Sequence, residues 1–430
     1  MRKKTQKAAK TTAIILAAGK STRMKTTLSK VLHPVCGRPI IEYVINAVAS
    51  LKSIHQIVIV VGHAKEDVIG SIQGNDRIPQ NVTIDFVTQR EQKGTAHAVQ
   101  TALPSATGEH ILIVCGDSPL ITQETLSDAE KHYRQNGLAG MVLTTILPDP
   151  ASYGRIIRDH SGALCKITET RDLPVSEQKS LKEVNSGMYF LHKKKTEEVL
   201  NEIKENPGKK EFYLTDLVEI FNKKGYTIDS FVMRDPTEML SVNTLQELAQ
   251  VERLMNERLI AYWMRQGVRF VDPQSTFICS DTVFGTDTIV YPFVYIESGV
   301  TVGKECRVGP FIHLRKGVTL EDTVEVGNFL EIARSKIQSQ SKAKHFGYLG
   351  DVTIGHNVNI GAGTVVANYD GKHKNKTVIE DGSFIGSDTV IVAPVTIGKD
   401  ALTGAGSVIT KNVPHKNVVA GVPARTLRKR

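Results

Sequence analysis

Small aliphatic residues return at every sixth position through the C-terminal third of this chain. Val290, Ile296, Val302, Val308, Leu314, Leu320, Val326 and Ile332 keep one phase without a slip, and Ile354, Ile360 and Val366 resume it. A last run follows at Ile379, Ile385, Ile391, Ile397 and Ile409, with Thr403 as the one departure inside it. A helix repeats near 3.6 residues and a single strand alternates, so neither produces this period. Hexapeptide repeats wound into a parallel β-helix do, each hexad giving one short strand and one corner. The aliphatic side chain points inward. The Gly that follows it at 303, 309, 327, 355, 361, 386 and 398 reads as the residue that tolerates a tight turn. Neighbouring coils then bury one another's apolar faces.

The phase breaks twice. The stretch 333–350 holds His345 and Tyr348, and after Val366 come Asn368, Tyr369, Asp370 and the run with Lys372, Lys374 and Lys376. The plainest product of such a repeat is a rigid prism without chemistry. Breaks of this kind instead predict loops expelled from the regular helix, and expelled loops are where reactive side chains concentrate.

A chain of 430 residues exceeds what one core can fill, so two or three domains are expected. The formal charge of +9 points to anionic partners. Much of that excess sits at the ends, in Arg2, Lys3, Lys4, Lys7 and Lys10 and in Arg425, Arg428, Lys429 and Arg430. These read as solvated, mobile tails, and no nucleic-acid partner is expected from them. The five Cys at 36, 115, 165, 279 and 306 form no paired spacing, which suits a reducing cytoplasm and argues against a structural zinc site. The apolar run Ala13 to Ala18 is too short for a signal segment and reads as a buried strand. No run is long enough to insert into a membrane.

From Thr12 to Met233 strands alternate with amphipathic helices. Ala13 to Leu16, Gln56 to Val61, Thr83 to Val87, Ile111 to Val114 and Gly140 to Ile146 read as strands, and Ile40 to Leu51 and Thr95 to Leu103 as helices. That alternation predicts a mainly parallel, Rossmann-like α/β sheet with ligands at the carboxyl ends of its strands. The first strand runs into Leu16-Ala17-Ala18-Gly19-Lys20-Ser21-Thr22-Arg23-Met24. The first Gly of a phosphate-binding G-x-x-x-x-G-K-S/T loop would fall on Ile14, and no G-x-G-x-x-G follows, so both nucleotide fingerprints fail. A small-residue turn able to approach phosphates remains, with Arg23 and Lys30 as nearby cations.

LAAGKSTRM followed by Lys30 resembles the signature of the sugar-phosphate nucleotidylyltransferases, with Ser29 where that family usually has Pro. Further matches come in family order: Gln89, Gly94-Thr95-Ala96-His97-Ala98, Gly116-Asp117-Ser118-Pro119-Leu120, Tyr153-Gly154-Arg155-Ile156, Glu169, Asn185-Ser186-Gly187, Tyr213-Leu214-Thr215-Asp216 and Val242-Asn243. With a hexapeptide helix behind them, they resemble the bacterial bifunctional glucosamine-1-phosphate N-acetyltransferase / N-acetylglucosamine-1-phosphate uridylyltransferase family over nearly the whole chain. The resemblance implies a uridylyltransferase domain at 12–236 after a basic tail at 1–11. A helical arm at 237–267 and a left-handed β-helix acetyltransferase domain at 268–430 would follow. The β-helix is shorter than the family's by about two coils. The resemblance further implies a homotrimer with acetyl sites between subunits, and a product nucleotide sugar used for peptidoglycan and lipopolysaccharide.

Nucleotidyl transfer needs a divalent ion on the triphosphate, cations facing the departing pyrophosphate and an aligned attacking oxygen. By resemblance Asp117 and Asn243 bind Mg²⁺, and Arg23 and Lys30 face the triphosphate of UTP. Leu16, Ala17, Ala18, Gly19, Gln89, Gly94, Thr95, Cys115 and Gly116 would surround the nucleotide, and Gly154, Glu169 and Asn185 the N-acetylglucosamine moiety. Acetyl transfer from acetyl-CoA needs an unprotonated amine, and imidazole titrates in the right range, so His345 reads as the base. By resemblance Arg315, Tyr348 and Lys374 bind the sugar phosphate and Asn359 the sugar, with Ala362, Asn368, Tyr369, Ser387 and Ala405 lining the acceptor and acetyl-CoA site. Two positions depart from the family: Ala333 and Gly421 stand where it has Lys and Arg. Adjacent strand residues face opposite ways, so Arg334 is not expected to replace the missing Lys. The rival reading is a nucleotidylyltransferase whose β-helix serves only to oligomerise.

Overall fold

The computed structural model describes residues 9–206, 208 and 210–429, so Arg2, Lys3, Lys4, Lys7 and Arg430 of the expected tails lie outside it. The chain divides into two compact units between Val251 and Glu252.

In the first unit the strands lie, edge to edge, as Ile228–Val232, Gly140–Ile146, Glu183–His192, His110–Cys115, Thr11–Ala17, Ile54–Val61 and Thr83–Thr88. All neighbours pair in parallel except Glu183–His192, which runs antiparallel to both of its partners. The central strand shows why the sequence reads as a continuous apolar run. Ala13, Ile15 and Ala17 enter the core with Ile41, Val44 and Ile45, while Ile14 enters the opposite core with Val99 and Leu217. A sheet covered on both faces leaves no polar phase. The expected strands and both expected helices form, as Ile40–Ala49 and Thr95–Ala102 for the latter.

The expected helix from 237 begins later, at Leu245, and runs to Arg265. Its start is set by a capping box. Thr244 Oγ1 accepts from Glu247 N at 3.2 Å, and the Glu247 carboxylate accepts from Thr244 N at 2.9 Å and Asn243 N at 2.7 Å. Its end is closed by Val268 N donating to Trp263 O at 3.1 Å around Gly267, whose φ of +90° suits glycine. Ile260 is buried with the first coils, and Asn256 bonds the backbone of Thr276 and Ile278.

The second unit is a three-faced parallel β-helix. The first face carries strands such as Ile289–Val290, Lys342–Ala343, Asn359–Ile360 and Phe384–Ile385. The second carries Ile312–Leu314, Leu330–Ala333, Gly347–Gly350 and Thr364–Ala367, and the third Thr319–Leu320, Lys336–Ile337 and Val352–Ile354. The hexad aliphatics are buried, and Thr403, also buried, is satisfied by Gly386 N at 3.0 Å and the Thr389 hydroxyl at 3.1 Å.

Three expectations are corrected here. The stretch 333–350 is not an expelled loop. Ile337, Ala343 and Leu349 continue the inward phase, and the coil is only one residue short at its corner: Ile312 pairs with Leu330, 18 residues on, but Leu330 pairs with Gly347, 17 on. The second break is a true excursion, because Val365 pairs with Val390, 25 residues on. The hexad glycines answer to coil spacing rather than to turns. Only Gly309 among them has positive φ, whereas a Cβ on Gly361 would stand 2.5 Å from Ser387 N in the next coil. The C-terminal basic residues are not a loose tail: Ala424–Lys429 forms an edge strand antiparallel to Asn417–Gly421, with Arg425, Arg428 and Lys429 exposed on it. Charge on an edge strand discourages further pairing.

Candidate active sites

In the first unit, the backbone brings the expected metal ligands together. Val242 N donates to Asp117 O at 2.9 Å, so the segment before the long helix is pinned beside the turn that follows His110–Cys115. The capping box then fixes Asn243. Its Oδ1 accepts from Arg23 at 2.9 Å and from Lys30 Nζ at 3.0 Å, and Lys30 also forms an ion pair with Asp117 Oδ2. Lys30 is itself held by Ser21 Oγ, which accepts from its backbone N at 3.0 Å; Ser21 is left-handed at φ +57°.

Around this centre, Gly116 N donates to Leu16 O at 2.9 Å and Gln92 Nε2 to Ala18 O at 2.5 Å, fixing the turn Leu16 to Gly19. Buried Gln89 donates to Gly94 O at 3.1 Å and leans on His97, and Gly94 has φ +98° against Phe212. Thr95 Oγ1 accepts from Leu214 N at 3.1 Å. A cavity of about 480 Å³ opens beside Gln89, Gln92, Gly62, His63 and Lys20 at the carboxyl ends of these strands. Burial, followed by the neighbouring Asp117 charge, pushes the Cys115 thiol up to about 12, so it stays protonated beside the ion pair.

Gly154, Glu169 and Asn185 also converge. Asn185 N donates to Gly154 O at 2.9 Å, and a Cβ on Gly154 would lie 3.7 Å from Glu169 Oε1. Arg155, fully buried, donates to the carbonyls of Pro150, Ala151 and Gln178 and so ties down the loop that carries Gly154. Desolvation lowers its pKa from the usual guanidinium range.

In the second unit the expected acetyl site is divided between two edges of the prism. Along the edge joining the first and second faces, His345, Asn359, Ala362 and Ser387 line a cavity of about 240 Å³ with Lys342, Lys344 and Phe384. Ala405 lies one coil on, with Gly406 N donating to Ser387 O at 2.8 Å. Along the edge joining the second and third faces, Arg315 shares a cavity of about 420 Å³ with Glu297, Lys316, Gly317 and Arg334. Asn368, Tyr369 and Lys374 lie on the excursion at that second edge, where Tyr369 and Lys374 form a bridge. Tyr348 stands on the second face, in register with Glu331. One chain therefore does not gather His345 with Arg315 and Lys374.

The rule that set Arg334 aside, that adjacent strand residues face opposite ways, does not apply at this position. The strand ends at Ala333, whose side chain is fully covered, and Arg334 turns the corner at φ +50°. Its guanidinium donates to Asp351 through Nε at 2.7 Å and Nη2 at 2.8 Å. Asp351 also accepts from Asn368 Nδ2, and these partners, Arg334 foremost, hold its carboxyl below the usual range. Sequence reasoning passed over Gln92 and Glu247. For Glu247 the signal was present, since Thr244-x-x-Glu247 is a capping box.

Residues 13–171 match a MobA-like NTP transferase domain, and 376–411 match six bacterial transferase hexapeptide repeats. A protein of Heliobacterium modesticaldum named bifunctional protein GlmU is 40% identical over 440 residues, covering 94% of each chain. Proteins of the same name from Exiguobacterium sibiricum and Shouchella clausii are each 39% identical, covering 97% and 94% of this chain and 98% and 94% of their own.

Proposed function

This chain belongs to the GlmU family of bifunctional proteins, and from that membership we propose that it makes UDP-N-acetylglucosamine in two steps. The second unit transfers acetyl from acetyl-CoA to glucosamine 1-phosphate. The first then transfers uridylyl from UTP to N-acetylglucosamine 1-phosphate and releases pyrophosphate.

The observation that carries the uridylyl half is the ammonium of Lys30 seated between the oxygens of Asp117 and Asn243. A position that already draws a cation to two hard oxygens suits Mg²⁺, which keeps its other positions for water and phosphate. When bound there, Mg²⁺ would neutralise charge on the triphosphate. The chain's own part is to orient and to stabilise. Arg23 and Lys30 meet the pyrophosphate as its bond to the α-phosphorus breaks, and the Gly154–Glu169–Asn185 wall holds the sugar so that its phosphate oxygen attacks in line. That oxygen is already ionised, so no base is needed.

In the acetyl half, His345 accepts the proton of the attacking amine as the C–N bond forms, and the C–S bond breaks to release the CoA thiol. The residues expected to hold the phosphate lie on the other edge of the same protomer, and this supports a site closed between copies. Exposed Phe293, Phe311 and Phe329 stack at 4.8 Å along the edge that carries His345, an apolar strip suited to such a contact. A homotrimer follows from the family, and five free cysteines fit a cytoplasmic setting.

The test follows free thiol and pyrophosphate separately in purified protein given glucosamine 1-phosphate, acetyl-CoA, UTP and Mg²⁺. Both should appear, with pyrophosphate dependent on the prior acetylation. Pyrophosphate from supplied N-acetylglucosamine 1-phosphate without any thiol release would reduce the protein to a nucleotidyltransferase with an assembly domain.

A further inference from the structure

We infer that Arg334 is a phosphate-binding, specificity-determining residue of the acetyl-acceptor site, taking over in this chain the role that Ala333 cannot fill. The inference rests on the acetyltransferase reading above. A guanidinium has five N–H donors in a fixed fork. In Arg334, Nε and one N–H of Nη2 are given to Asp351, leaving three N–H protons, one of which Tyr348 engages. The Asp351 carboxylate, mostly covered, acts as a buttress that holds the fork at one angle, and the fork also bonds Tyr348.

Arg334 borders the 420 Å³ cavity, which it shares with Arg315 and Lys316. Three cations and a single carboxylate, Glu297, line that space. Glu297 is engaged by His313 at 2.9 Å and Lys316 N at 2.9 Å, and Arg315 gives one N–H to Glu331 at 3.0 Å, so what the two arginines offer an anion is the N–H donors these pairs leave over. A planar fork beside a second arginine is suited to the oxygens of a phosphate monoester. Position 333 has no comparable access, because its side chain is fully covered and the chain turns outward one residue later.

The test compares two acceptors on the assembled, full-length protein: glucosamine 1-phosphate and glucosamine, which differ only in the phosphate. Arg334→Ala should raise KM for glucosamine 1-phosphate about tenfold while leaving kcat/KM for glucosamine within about twofold. Arg334→Lys should recover part of the loss, and uridylyl transfer should not change. Because Asp351 also holds Asn368, a purely structural Arg334 would lower activity on both acceptors equally and raise KM for acetyl-CoA. That result overturns the inference, as does an unchanged KM for the phosphorylated acceptor. Absence of thiol release in the unaltered protein with either acceptor would instead remove the acetyltransferase reading itself.

Discussion

The two units build their sites in opposite ways. In the first, residues as distant as Arg23, Lys30, Asp117 and Asn243 meet because separate loops are tied to one another, by Val242 N on Asp117 O and by Glu247 on the backbone of Asn243 and Thr244. In the second, a repeating frame sets the neighbours. Lys342, Asn359 and Phe384 follow one another down a single face, and His345, Ala362 and Ser387 down the edge beside it. A tied site fails when one tie is cut, whereas a stacked site fails only where the stack is damaged.

The sharpest way to break this comparison is to remove one group from each unit. Asp117→Ala should lower uridylyl transfer by more than about 3 kcal/mol of transition-state stabilisation and leave thiol release intact. His345→Ala should lower thiol release by on the order of 10²- to 10⁴-fold and leave uridylylation of supplied N-acetylglucosamine 1-phosphate unchanged. If either change silences both reactions in folded protein, the sites are coupled and the contrast is wrong.

What the sequence could and could not convey follows from the same contrast. Period six marked the inward residues of the β-helix, and unbroken apolar runs marked the strands buried on both faces, because burial repeats with the backbone. Side-chain period also misled. The loss of phase after Ile332 reads as a loop, but the coil closes with one residue fewer and the corner at Arg334 absorbs the change. Position along the chain likewise hid the division of the acetyl residues between two edges, since His345 and Tyr348 are three apart yet Tyr348 has already passed onto the second face. Short-range chemistry was more legible than it was read, as the Thr244–Glu247 box shows.

A smaller effect separates frame from site within the β-helix. A Cβ on Gly285 would stand 2.5 Å from Lys304 N, and one on Gly361 the same distance from Ser387 N. Each Gly→Ala change should cost about 1–3 kcal/mol by forcing neighbouring coils apart. Thermal unfolding should move alike in the two variants, but only Gly361→Ala, which lies in the His345 cavity, should impair thiol release. Equal losses of acetyl transfer would mean that coil spacing is transmitted along the prism.

In the first unit the corresponding tie is Glu247. Glu247→Ala removes the acceptor for two backbone N–H groups and should cost about 1 kcal/mol of stability. Because one of those groups belongs to Asn243, half-saturation for Mg²⁺ in uridylyl transfer should rise several-fold, with Glu247→Gln close to the parent. A lower melting temperature with unchanged Mg²⁺ dependence would reduce the box to a helix cap.

The least change is expected at Ser29, immediately before Lys30. Its backbone has φ −58°, which a pyrrolidine ring would impose in any case, and its buried hydroxyl has no hydrogen-bond partner among the described residues. The contacts that aim Lys30 do not pass through that hydroxyl: Leu32 N donates to Ser29 O at 2.9 Å, and Lys30 N to Ser21 Oγ. Ser29→Pro should therefore keep both, remove an unsatisfied polar group and narrow the unfolded ensemble, raising stability by up to about 1 kcal/mol. Uridylyl kcat/KM should stay within about twofold of the parent, or improve slightly. A tenfold fall with the melting temperature unchanged would show that the turn must flex for Lys30 to leave Asp117 when substrate arrives. The tied site would then depend on a movement that the stacked one does not need.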